Sequence, residues 1–119
     1  MIYVGFVITI DEAIRLLKLN RYIKQNYYDT RPIQKSLEDK GSCLHFEYID
    51  KGVCILGVPI RMDEPYSPVS DTIIQILLAK KVFLDEMKKQ EVDMNSVYLT
   101  WIEEEERLVE NPEPYVISL

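Results

Sequence analysis

Apolar positions along this chain keep two rhythms, and the changes between them mark out its elements. Ile2 to Ile10 is apolar at almost every position, as a strand with neighbours on both edges and cover on both faces should be. Thr9 and Glu12 have capping-box spacing. Ala13, Ile14, Leu16, Leu17 and Leu19 then recur as on a short amphipathic helix that Asn20 ends. Arg21 to Tyr28 predicts a further helical turn or two. Pro32 opens a fresh helix carried by Ile33 and Leu37 to Lys40, with Gly41 as its stop. From there the period falls to two. Cys43 to Ile49 alternates Leu44, Phe46 and Tyr48 with Cys43, His45 and Glu47, whereas Val53 to Ile60 is apolar throughout. Between them Asp50-Lys51-Gly52 is a hairpin turn, because glycine supplies the positive φ such turns require. A polar, proline-rich loop over 61–68 precedes a long helix, Asp71 to about Gln90, whose stripe is Ile73, Ile76, Leu77, Phe83, Leu84 and Met87. A last strand, Val97 to Ile102, alternates and runs into four glutamates.

The resulting β-α-β-β-α-β order selects an α+β architecture, the ferredoxin-like split-βαβ sandwich: an antiparallel sheet with helices on one face. That sheet has spatial order 4-1-3-2. The two continuously apolar strands are those it places centrally, and the two alternating ones are its edges. Residues 1–110 are expected to form a single domain, with 111–119 as a tail or an added edge strand. Helices on one face leave the other face of strands 1 and 3 apolar, and a large apolar patch rarely stays open on a monomer. Either Pro114 to Leu119 folds over it or adds a fifth strand, or two copies pack sheet to sheet. A homodimer is expected, with Tyr3, Cys54, Leu56 and Val58 on its face.

Composition narrows the function class. A chain of 119 residues that is 47% hydrophobic holds one core without staples, and it has no apolar run of the ~20 residues that cross a bilayer. In the hairpin, Ile49 would face Cys54 and Cys43 would lie near Ile60, so the sulfurs stand ~20 Å apart. Two reduced thiols suit the cytoplasm, with the nucleus as the alternative. Cys43, His45 and Glu47 project from one strand face and raise zinc or thiol chemistry, but the cysteines are too far apart for one ion and no second histidine exists. Glycines are scattered, so no phosphate cradle forms. No enzyme, metal or cofactor is expected. The net charge of −6 is uneven: residues 13–37 carry Arg15, Lys18, Arg21, Lys24, Arg31 and Lys35 against Asp29 alone, while Glu103 to Glu106, Glu110 and Glu113 face only Arg107. A basic face of that kind binds an anionic partner despite the acidic total.

Three resemblances bear on what the partner is. Ile2-Tyr3-Val4-Gly5-Phe6-Val7 and the Lys51-Gly52 step resemble the two signatures of the RNA-recognition motif, which has the same element order. The resemblance implies that Tyr3 stacks on a base, but Val53 and Ile55 stand where its strand-3 aromatics belong. Thr9 to Asn20 is similar to the opening helix of small helix-turn-helix domains, which implies phosphate contacts from Arg21 to Lys35 and a recognition helix over Ile33 to Lys40. The Ile-, Tyr- and Lys-rich compact chain is also similar to orphan small proteins of large cytoplasmic DNA viruses, Marseillevirus-like ones among them, which implies an accessory role. The expected function is therefore non-enzymatic macromolecular interaction as a homodimer with a protein partner and no membrane. Nucleic-acid binding through residues 13–37 is the alternative. The surface expected to carry either is Arg15, Lys18, Arg21, Lys24, Tyr27, Tyr28, Arg31 and Lys35.

Overall fold

A computed structural model describes residues 2–20, 29–60, 69–100 and 107–119. In chain order the elements are β1 (Ile2–Thr9), α1 (Ile10–Leu16), α2 (Arg31–Asp39), β2 (His45–Asp50), β3 (Val53–Ile60), α3 (Val69–Lys89), β4 (Val97–Leu99), β5 (Arg107–Val109) and β6 (Tyr115–Ser118). Four strands form one antiparallel sheet in the order β2-β3-β1-β6, and β4 pairs with β5 separately. The antiparallel α+β class is as expected, but the ferredoxin-like chain order is not reproduced. The place beside β1 expected for Val97 to Ile102 belongs to β6, which pairs from Ile2↔Ser118 to Gly5↔Tyr115. From the β4 side Thr100 reaches β1, donating its N–H (2.9 Å) and its hydroxyl (3.3 Å) to the Val7 carbonyl. Tyr115 to Ser118 thus takes the Ile2–Gly5 end of that edge, with Ile117 turned inward, and Thr100 meets it further along at Val7. The turns expected over 21–28, the 61–68 loop and Glu103 to Glu106 lie outside the described residues.

Lys51 and Gly52 both have positive φ, 50° and 80°, as a tight hairpin turn demands. The register nevertheless differs from the simple one. A bulge at Ile49 makes Tyr48, rather than Ile49, the partner of Cys54. Because side chains alternate with period two, one inserted residue reverses which β2 residues share a face with which β3 residues. His45 and Glu47 thus lie with Ile55, and Cys54 lies with Phe46 and Tyr48.

The even-numbered face of β1 and β3 carries the main core. Phe6, Ile8, Cys54 and Leu56 pack with Ile10, Ala13 and Ile14 of α1, Ile33 and Leu37 of α2, Phe83 and Met87 of α3, and Val97 and Leu99 of β4. Phe6 and Phe83 meet edge to face at 4.9 Å. Val4, Ile60 and Ala79 extend this layer. On the other face Tyr3, Val7, Ile55 and Ile117 form a smaller buried cluster.

The three helices described end alike. Beyond α1, Lys18 has φ 53°, with Leu19 N–H bonded to Ile14 O at 2.9 Å and Lys18 N–H to Arg15 O at 3.2 Å. Gly41 (φ 70°) and Glu91 (φ 57°) close α2 and α3 with the same pair of bonds. These are Schellman endings, which favour glycine. Of the three, α2 alone has it, so only that stop is explicit in the sequence; α1 ends before Asn20 because Lys18 takes the left-handed position.

Candidate functional site

The basic surface expected from residues 13–37 divides into two parts. Arg21, Lys24, Tyr27 and Tyr28 lie outside the described residues. Arg15 and Lys18 line a shallow recess with Asp11, Ile14 and Leu19, and Arg31 and Lys35 line a separate groove between α2 and β2 that Phe46 and Glu47 complete. Two of these four cations are already engaged. Arg15 pairs with Glu12 through Nε (2.9 Å) and Nη2, and the hydrogen bond to Glu12 holds its guanidinium above the usual range. Arg31 binds Asp29 in a fork, Nε to Oδ1 at 2.8 Å and Nη2 to Oδ2 at 3.0 Å, which lowers the Asp29 carboxyl. Lys18 and Lys35 are exposed.

Glu12 has a role beyond capping. Its N–H donates to Thr9 Oγ1 at 3.1 Å, as the capping-box spacing predicts. Its carboxylate, only 5% exposed, accepts from Arg15 and from the backbone N–H of Tyr98 at 3.1 Å. That contact joins α1 to β4 across 86 positions of sequence. No local pattern signals it.

The expected sheet-face set is not brought together. Tyr3 pairs with Pro59 and Val4 with Val58, so Tyr3 lies on the odd-numbered face while Cys54, Leu56 and Val58 point under the helices. Burial first, then the charge of and hydrogen bond to Glu47, raise the Tyr3 phenol above its usual range. With 5% of its surface exposed and its hydroxyl bonded to Glu47, Tyr3 has no free face for a base, and Val53 and Ile55 pack beside it.

Cys43, His45 and Glu47 do not form a constellation either. The strand starts only at His45, and the Cys43 thiol turns to Glu86 of α3; burial, then that carboxylate, push it up. Burial alone pushes the Cys54 thiol up to about 12. Both cysteines are free thiols. Among the described residues no three His, Cys, Asp or Glu side chains come together as a metal group, and no helix is long and apolar enough to cross a membrane.

The most distinctive surface is one that the apolar periodicity assigned to the core. Ile76, Ala79, Phe83 and Met87 are the α3 residues that face the sheet. Ile73, Leu77 and Leu84, read as part of that stripe, are 54%, 59% and 42% exposed; Ile74, Leu78 and Val82 on the same outward side are 53%, 58% and 43% exposed. Much of α3, among its described residues, is therefore apolar on its outward side as well as its inward one. The signal was present in the sequence: apolar pairs at 73–74 and 77–78 are too many for one stripe of period 3.6.

No protein-family profile matches this chain, and comparison with curated proteins and with solved structures gives no match.

Proposed function

We propose that this chain is a non-enzymatic accessory protein that works through macromolecular interaction, as a homodimer that binds a protein partner. The observation that carries this reading is the outward face of α3, where four large aliphatic side chains are each more than half exposed. Burying such a patch is favourable at about 25 cal/mol per Å², so an interaction that covers it is strongly driven. The alternative of direct nucleic-acid binding by residues 13–37 has weaker support, because Arg15 and Arg31 already hold carboxylates.

Two measurements test the reading. Sedimentation velocity between about 1 and ~100 μM is expected to give twice the 14.0 kDa chain mass at the upper end. Fluorescence anisotropy with single- and double-stranded probes at low salt is expected to show no binding. Retention that weakens steeply with salt would instead establish the nucleic-acid alternative.

A further inference from the structure

We infer that two copies of this chain exchange β6, so that Pro112 to Ser118 of each pairs with β1 of the other, and that Asn111 is the hinge. This inference rests on the homodimeric reading above and names how the second copy is held.

The hinge is marked by its backbone. Asn111 has φ 47° and stands directly before Pro112. The left-handed region is costly for a residue with a Cβ, and a following proline ring pushes its neighbour toward extended φ, about −120°. Two local preferences thus oppose the conformation that lays Pro112 to Ser118 on the β1 of its own chain. Short hinges under strain of this kind invite exchange. Lys18 and Glu91 also have positive φ, but there the turn itself makes the Schellman bonds, and at Lys51 it makes the hairpin. At Asn111 the bond lies upstream of the rotation. Its N–H donates to Asn95 O at 3.2 Å, continuing the β4–β5 ladder, and turning about N–Cα leaves that N–H in place. Glu110 and Asn111 are both exposed, so neither hinge residue has to leave the core.

What crosses over is a segment that packs as a unit. Pro112, Pro114 and Ile117 are buried, and Ile117 lies with Tyr3, Val7 and Ile55. The pairs from Ile2↔Ser118 to Gly5↔Tyr115 fix its register. A second copy's segment has the same sequence, so it meets β1 with the same pairs and the same buried side chains. Exchange therefore keeps the contacts of the segment with β1 and relieves one hinge in each chain.

The test is crosslinking between unlike chains. Ile2→Cys and Ser118→Cys are placed on separate chains, each in a Cys43→Ser background, and the two are refolded together from urea at about 100 μM. Directly opposed residues of an antiparallel pair have Cα atoms ~4.5–5.5 Å apart, within disulfide reach, so mild oxidation should join the unlike chains. Either chain refolded alone should not crosslink, because position 2 of one copy lies by position 118 of the other. Asn111→Gly accepts the left-handed turn and should raise the dimer dissociation constant at least ~5-fold, while Asn111→Val resists it and should lower the constant by a similar factor. A parent that sediments as a single chain at every concentration, refolded in the same way, overturns the homodimeric reading and the exchange together. A parent dimer whose mixed chains crosslink no more than either chain alone overturns the exchange and leaves the homodimeric reading standing. A dimer that Asn111→Gly leaves as tight as the parent overturns the hinge.

Discussion

Removing the Glu12 carboxylate is expected to cost far more than its place on a short surface helix implies. Glu12→Ala deprives the Tyr98 N–H of its acceptor, and a hydrogen bond to a charged group contributes about 1.5–3 kcal/mol. The Arg15 pair adds no more than about 1 kcal/mol, since half of that side chain is in water. Together these give about 3 kcal/mol for Glu12→Ala. Glu12→Gln keeps an oxygen for Tyr98 and should lose about 1 kcal/mol; Arg15→Met should lose a similar amount. With a urea slope of about 1.5 kcal/mol per M for a domain of this size, Glu12→Ala moves the unfolding midpoint by about 2 M. Amide exchange adds a local readout: the Tyr98 N–H should exchange faster in Glu12→Ala and stay protected in Arg15→Met. If Glu12→Ala and Glu12→Gln both fall within about 0.5 kcal/mol of the parent, the scatter of neutral surface changes, the carboxylate does not hold α1 to β4 and the reasoning fails.

Other changes follow the backbone and the thiols. Gly5→Ala would put a Cβ 2.0 Å from the Leu56 carbonyl oxygen, and Gly57→Ala one 2.8 Å from Val4 O. Gly5→Ala should therefore lose at least ~3 kcal/mol by urea titration and Gly57→Ala less, and the reverse order would contradict the strand register. Lys18→Gly and Glu91→Gly should each raise stability by about 0.5–1 kcal/mol, because both residues sit at positive φ. A disulfide reagent at mildly alkaline pH should label Cys43 and spare Cys54; two fast thiols per native chain would contradict the burial of Cys54. For Cys54 the folded value lies above the unfolded 9.0, so its contribution is complete below pH 9.0 and is lost as pH rises toward about 12. Cys54→Ala should flatten that alkaline decline.

Features set by local chemistry were readable from the sequence, and those set by distant contacts were not. Lys51-Gly52 and Gly41 announce a turn and a helix stop because positive φ favours glycine in any context. The Ile49 bulge has no such mark: inserting one residue leaves the apolar alternation of Cys43 to Ile49 intact while reversing its faces against β3. That reversal separates Cys54 from His45 and Glu47, and the register of β1 on β3, which sets Tyr3 opposite Pro59, separates it from Tyr3. For α3 the helix itself was plain, but which of its two apolar sides meets the sheet depends on where Val4, Phe6 and Leu56 wait for it. Arg15 looked like a free cation because its partner Glu12 looked like a cap.

The pairing of Ile2 with Ser118 also has a kinetic meaning. The hairpin of β2 and β3 closes across two residues, whereas β6 joins β1 only by closing a loop of more than a hundred, an entropic barrier that grows with the logarithm of length and slows the search. The three strands β2, β3 and β1 can therefore assemble first, with the outer edge of β1 unpaired and its apolar residues in reach of other chains. Refolding yield should fall with concentration more steeply than the stability of the finished sheet would lead one to expect.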